Sequence, residues 1–292
     1  SELALWQARF IAGVLANDLG QQVEIKVIKT AGDRIQNLSF DKMEGKGCFT
    51  KEIEDALLAR QVDLAVHSLK DLMTTQPDGL KLGAAGYRAD RRELLLVRPE
   101  AFIGDGLLPL KPGAVVGTSS ARRKCQVVHH HPTAQIRDLR GNVPTRVNRL
   151  RDGQYDAILL ALAGVTRLEL DLTGLHALPL APHHFLPAPA QGILGIQIRD
   201  HDPRVESVVS RLGSEDMLLT AQVERGLLKR FGLGCSLPLG VCSDHEGSQI
   251  RLRAVLGIRD GDQWTGLRTA DVSGPADDPE HIVDQAFARL SS

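Results

Sequence analysis

The 292-residue chain carries 35 Lys+Arg against 36 Asp+Glu, a formal net charge of −1, with 42% hydrophobic and 24% charged residues. That balance excludes a disordered, collagen-like or disulfide-dense chain and allows two or three compact units with their own cores. Aromatic residues make up only 4%, which weakens any case for stacking single-stranded nucleic acid. The most apolar stretch, Ala157 to Val165, is far short of the roughly 20 residues a membrane span needs. No secretory leader opens the chain. Cys48, Cys125, Cys235 and Cys242 form no CxxC pair. We therefore expect a cytoplasmic protein with no membrane partner. Because the chain opens on Ser1, directly in a helical pattern, residues are expected before it, and a plastid or other compartment stays open.

Leu3, Leu5, Trp6, Phe10, Val14 and Leu15 recur at helical spacing and predict a first helix ending near Gly20. Val23 to Ile28 alternates and predicts a strand. Thr30 to Gly47 is polar and flexible in character. A helix from Phe49 to Arg60 and a buried strand from Val62 to Val66 follow, the latter running into His67-Ser68-Leu69-Lys70-Asp71. Short strands are expected at 80–85 and 94–97. A second strand–helix alternation starts after Pro112-Gly113: strand 114–116, helix 121–130, strand from Gln135, helix through Arg151 capped by Asn142 with Pro144 in its first turn, and strand 156–160. Pro179 to Pro189 reads as a linker, 193–198 as a strand and 203–212 as a helix. From Ser214 the pattern becomes a helix (215–230), a Gly-rich loop (232–238), two strands (251–257 and 264–272) and a last helix (278–290), a small α+β unit. The alternation before it argues for α/β layers.

Charge placement says more than net charge. Arg122, Arg123, Lys124, Arg137, Arg140, Arg146, Arg149 and Arg151 face a single acid, Asp138, in the same stretch. Several lie at strand ends or in first helical turns, where a cation opposes the helix dipole and so does not serve the helix. Ligands bind outside the carboxyl ends of strands in open α/β sheets, where helix N-termini favour anions. The cluster therefore points to a cleft for a ligand with several carboxylates or phosphates, against the alternative of a solvated basic face. Near-zero net charge, few aromatics and no helix-turn-helix or zinc pattern argue against nucleic acid. Asp71, following an apolar strand, can donate or accept a proton or stabilise a cation; an ordinary turn aspartate paired with Lys70 is the plain alternative. Cys235, in Gly232-Leu233-Gly234-Cys235-Ser236-Leu237-Pro238, can be a nucleophile or covalent anchor, or a small buried thiol. Cys242 reads as core, and His67 as a satisfied core group. His129-His130-His131 cannot share one helix face as ligands, and no metal site is expected.

The blocks Leu3-Ala4-Leu5-Trp6-Gln7-Ala8, Val66-His67-Ser68-Leu69-Lys70-Asp71, Val116-Gly117-Thr118-Ser119-Ser120-Ala121-Arg122-Arg123, Leu139-Arg140-Gly141-Asn142 and Gly234-Cys235-Ser236-Leu237-Pro238 occur in that order. In combination they resemble the porphobilinogen deaminase (hydroxymethylbilane synthase) family. The resemblance implies two periplasmic-binding-protein-like α/β domains flanking a cleft, plus a small α+β C-terminal domain. The expected boundaries are 1–88 with 190–212, 89–189, and 213–292. It implies stepwise head-to-tail condensation of four porphobilinogen molecules with release of ammonia, then hydrolysis, by a monomeric cytoplasmic transferase of tetrapyrrole (haem) biosynthesis. It also implies a dipyrromethane cofactor bound by a thioether to Cys235.

Carried over residue by residue, Asp71 becomes the catalytic acid. Ser68, Lys70, Asp71, Thr118, Ser119, Ser120, Arg122, Arg123, Arg140 and Arg146 become cofactor contacts. Gln7, Lys42, Lys46, Arg122, Arg140, Arg146, Arg167 and Gln191 become substrate contacts. Glu93 stands where the family usually has Asp, and Met73 where it often has Pro. The segment that precedes the serine in the family, including an Arg, has no counterpart in this sequence. A two-lobed solute-binding module for a polycarboxylate, without catalysis, explains the anion cleft equally well.

Overall fold

The computed structural model describes residues 1–29, 50–232 and 237–292. The stretch 30–47 expected to be flexible, with Lys42 and Lys46, lies outside the described residues, as do Cys48 and Cys235. In chain order the elements are α1 (Glu2–Asn17), α2 (Lys51–Leu58), β1 (Leu64–Ser68), β2 (Leu80–Gly86), β3 (Glu93–Val97), β4 (Val115–Gly117) and α3 (Ala121–His130). Then come β5 (Gln135–Arg137), α4 (Val143–Arg151), β6 (Ala157–Ala161), α5 (Leu162–Arg167), β7 (His176–Leu180), β8 (Leu194–Arg199) and α6 (Pro203–Val209). The chain closes with α7 (Glu215–Arg230), β9 (Leu239–Glu246), β10 (Gln249–Asp260), β11 (Gln263–Pro275) and α8 (Pro279–Ser291).

The strands form three sheets, ordered β1-β8-β2, β5-β4-β6-β3-β7 and β11-β10-β9. In the second, β4 runs parallel to β5 and β6, whereas β3 is antiparallel to β6 and β7. β3 (Glu93-Leu94-Leu95-Leu96-Val97) and β6 (Ala157-Ile158-Leu159-Leu160-Ala161) are apolar almost throughout because both faces of this sheet are covered. In the first sheet β8 pairs with β1 and β2 although more than 100 residues separate them; the chain returns to it after the second sheet is complete. That return needs a tight passage at Gly192 (φ 89°), where a Cβ would run into the Ala89 carbonyl oxygen, so only glycine fits. The third sheet is an antiparallel meander with α7 and α8 on one face, closing on Val223, Leu227, Leu252, Val272, Ile282 and Leu290.

Residues Gln21 to Lys29 do not form the expected strand: no described strand pairs with them, and Val23, Ile25 and Val27 are exposed. Alternation is a side-chain property, whereas a strand also needs a hydrogen-bonding neighbour. Pro179 belongs to β7 rather than to a linker; it lies on an edge strand, where a missing N–H is tolerated. α5 and β9 are elements the sequence reading left out. α4 starts where its expected cap predicts, with Asn142 Oδ1 accepting from Thr145 N at 2.9 Å; Ser214 Oγ, not expected as a cap, accepts from Met217 N at 3.2 Å, and Ser120, before α3, makes no side-chain cap bond.

Candidate functional site

β1 passes at Ser68 into a single 3-10 turn, Leu69–Asp71. Leu69 and Leu72 are buried with Ala85, Ala190, Ile193 and Ala221, and the acid between them is exposed. Asp71 lines a cavity of about 310 Å³ together with Ser68, Lys70, Arg123, Arg146, Arg167 and Gln191. These seven expected site residues come from segments far apart in the chain, and the fold brings them to one place. The cavity also takes in the start of α4, where Gly141 (φ 101°) makes the entering turn; a Cβ there would strike Thr145 Cγ2 at 2.9 Å.

The cavity wall is cationic and partly withdrawn from water. Arg146 donates its Nε–H to the Gly141 carbonyl at 2.7 Å, and burial pushes its pKa down to about 10, with Arg123 adding repulsion and Asp71 opposing it. Lys70 donates to Gln191 Oε1 at 3.2 Å; burial lowers its pKa, and the Asp71 charge resists that shift. Arg167 is buried, donates to the Gly192 carbonyl at 2.6 Å and stands 5.7 Å from the Trp6 ring; burial lowers its pKa as well. On the acidic side the lining offers, among the described residues, only Asp71 and Glu2, the latter in the exposed first turn of α1.

Behind this wall sits Glu93, fully buried. Its Oε1 meets Arg122 Nη2 at 2.7 Å; its Oε2 accepts from Arg123 Nε at 2.9 Å and faces Nη2 at 2.7 Å. Each guanidinium donates again to a carbonyl, Arg122 to Leu186 and Arg123 to Leu159, both at 2.9 Å. Burial alone would raise the Glu93 pKa, but the two guanidiniums and Lys70 pull it down to about 2. The sequence signal for this residue was present: an acid opening an otherwise apolar strand.

Other expected contacts stand outside the cavity lining. Gln7 is buried behind it and donates to Ser68 Oγ at 2.8 Å. Ser119 Oγ donates to the Leu139 carbonyl and accepts from Leu139 N, both at 3.1 Å, and Thr118 Oγ1 accepts from Ser120 N at 3.2 Å. These hydroxyls fix the turn from which α3 starts. Arg122 is held by Glu93, and Arg140 lends its carbonyl to Arg149 Nη1 at 3.1 Å. The basic excess read from sequence is also trimmed locally: Lys124 pairs with Asp138 at 2.7 Å and Arg151 with Asp171 at 3.8 Å. His67 is the satisfied core group expected, its Nε2 3.0 Å from Gln197 Oε1, with burial pushing its pKa down to about 4. Among the described residues no group of His, Cys, Asp and Glu is placed to hold a metal. A second cavity of about 380 Å³, between the Arg88–Arg91 segment, α7 and β9, contains none of the expected residues.

The sequence profile described as "Porphobilinogen deaminase, dipyromethane cofactor binding domain" matches residues 1–207, and "Porphobilinogen deaminase, C-terminal domain" matches 218–291. Similar curated proteins are porphobilinogen deaminases. The one from Nitratiruptor sp. is 42% identical over 264 residues, covering 90% of this chain and 83% of the relative. That from Syntrophomonas wolfei is 39% identical over 277 residues (94% and 88%). The chain belongs to the porphobilinogen deaminase family. Among solved structures, the Bordetella pertussis BvgS periplasmic VFT2 domain aligns at a TM-score of 0.42 with 15% identity, covering 74% of this chain and 81% of that one.

A family member needs room and counter-charge for dipyrromethane, whose two pyrrole rings bear carboxylates. The cavity supplies both: Lys70, Arg123, Arg146 and Arg167 line it, and the burial that depresses Arg146, Lys70 and Arg167 is the strain that a carboxylate ligand would relieve. The residues present fit the group.

Proposed function

We infer that this chain is a hydroxymethylbilane synthase, joining four porphobilinogen molecules head to tail with loss of ammonia and releasing the linear tetrapyrrole by hydrolysis. The observation that carries this reading is the exposed carboxylate of Asp71, on a fixed turn inside a cavity whose described lining sets Lys70, Arg123, Arg146 and Arg167 against Asp71 and Glu2. The cations match the acetate and propionate of each substrate. The acid matches the positive charge that develops when an aminomethyl group departs.

Dipyrromethane supplies a tethered pyrrole whose free α-carbon is the point of extension. Cys235 is its anchor. Cys125 and Cys242 are buried and their thiols are pushed up to about 11 by burial, which leaves them poor nucleophiles. The chain that follows Cys235 runs through Pro238, whose carbonyl is 4.0 Å from Cys125 Sγ on α3, the helix whose first turn carries Arg122 and Arg123.

In this reading Arg146, Arg123, Lys70 and Arg167 hold carboxylates, with Ser68 and Gln191 completing the wall. Arg122 acts through Glu93, and Thr118, Ser119, Ser120 and Arg140 contribute donors at the starts of α3 and α4. Gln7 steadies Ser68, and Lys42 and Lys46 are substrate contacts by the family resemblance. Asp71 gives a proton to the departing nitrogen and afterwards faces the pyrrole N–H groups. Units 1–88 with 190–212, 89–189, and 213–292 are the working domains, a division supported by the three sheets and the late return of β8. We place the enzyme in the cytoplasm as a monomer; no helix among the described residues is long and apolar enough to cross a membrane.

The test is turnover. Purified protein given porphobilinogen should release four ammonia per hydroxymethylbilane. Saturable binding of porphobilinogen without ammonia would make the chain a binding module instead.

A further inference from the structure

The turn that carries Asp71 is held from behind by α7, the helix that leads toward Cys235. Met217 and Ala221, one helical turn apart, pack with Leu69 and Leu72 on either side of the acid. The next position on that stripe is Arg225, half-buried, whose Nη2 donates to the carbonyls of Leu72 at 2.9 Å and Met73 at 2.6 Å. The Met73 carbonyl takes a second donor, Gln76 Nε2, at 2.6 Å. Gln76 Oε1 in turn accepts from Gln197 Nε2 at 2.7 Å, and Gln197 Oε1 faces the buried His67 at 3.0 Å. The two residues after Asp71 are therefore pinned by charge-assisted bonds from α7 and by a part-buried amide chain from β8.

We propose that Arg225 is a positioning residue for the reaction: it ties α7 to the turn bearing the acid, keeping Asp71 at a constant position against that helix. The inference rests on the function proposed above. The proposed reaction uses the same acid on each reacting nitrogen in turn, so a turn that shifts under a growing product would cost rate at every step. A displacement of about 1 Å costs on the order of 100-fold in rate.

The experiment compares the parent with Arg225→Met, Arg225→Lys and Gln76→Met, each checked by intact mass for cofactor loading. Arg225→Met should load fully and keep KM within about 3-fold while kcat falls about 10- to 100-fold. Arg225→Lys, which retains a charged donor, should recover to within about 5-fold of the parent. In an Asp71→Asn background, Arg225→Met should change the residual rate by less than about 2-fold, since a positioning residue has nothing left to position. Parent-like kcat in Arg225→Met overturns the proposal, as does a loss that adds in full to Asp71→Asn or that sits in KM and loading. If Arg225→Met does not fold, Gln76→Met decides: kcat down about 3- to 10-fold at unchanged KM supports the link, and an unchanged kcat overturns it. Failure here in an active parent leaves the proposed activity standing. A parent that releases no ammonia overturns both.

Discussion

Two carboxylates, Glu93 and Glu224, are equally withdrawn from water and both hold arginine, yet they serve different regions. Glu93 stands at the wall of the Asp71 cavity, shared between Arg122 and Arg123. Glu224, on α7, stands at the joint with the third sheet. It pairs with Arg88 at 3.1 Å, accepts from Ala190 N at 2.7 Å and takes both the N–H and the hydroxyl of Ser243 at 3.0 Å. At the joint, one cation and several neutral donors close around one anion. At the wall, Glu93 serves two guanidiniums while Lys70 and Arg146 face the one charge of Asp71, so positive charge is left over. In the proposed reading the joint is balanced to stay shut and the wall is left unbalanced for its ligand.

The largest expected effect is at the acid the wall surrounds. Asp71→Asn keeps the shape of the side chain and should lower kcat by about 100- to 10,000-fold in a steady-state assay, with the thermal midpoint close to the parent's because the residue is exposed. Next come the buried carboxylates. Glu93→Gln and Glu224→Gln should each lose about 3–5 kcal/mol in urea denaturation, since each breaks an ion pair whose carboxylate is fully buried. Only Glu93→Gln should also raise KM. Equal KM effects from the two would erase the distinction between wall and joint.

Arg146→Leu should raise KM by about 10- to 100-fold through loss of a charge-assisted contact, without lowering the urea midpoint, because it removes a cation that burial already disfavours. A marked loss of stability would show Arg146 to be structural.

The smallest effect is a pH slope. His67 is held neutral, its folded pKa of about 4 lying below the ordinary 6.5. Between these values the unfolded chain binds more protons, so stability should rise with pH from about 4 to 6.5. Glu93, depressed from 4.5 to about 2, adds stability that is complete above 4.5 and lost as pH falls through about 2. Urea denaturation of His67→Gln should flatten the upper window and leave the lower one intact; a slope unchanged above pH 4.5 would contradict the assignment.

What could be read ahead of the structure was local or carried by charge. The start of α4 follows from Asn142 and Pro144, because a cap acts within four residues. Asp71 and the arginines stood out because acids and bases at strand ends are conspicuous. Val23 to Ile28 misled because strand pairing depends on a distant neighbour. β9 escaped because Gly240, Ser243 and Asp244 interrupt its apolar run. The role of Glu93 was hidden for a related reason: its partners lie about 30 residues away on another element, and no local pattern joins them.

The most direct measurement is the intact mass of the purified protein before and after a brief exposure to porphobilinogen. The account predicts a starting mass above that of the polypeptide by one dipyrromethane, then peaks rising by single pyrrole units, with both features missing in Cys235→Ser. A parent that consumes porphobilinogen while its mass stays at the bare polypeptide value would contradict it.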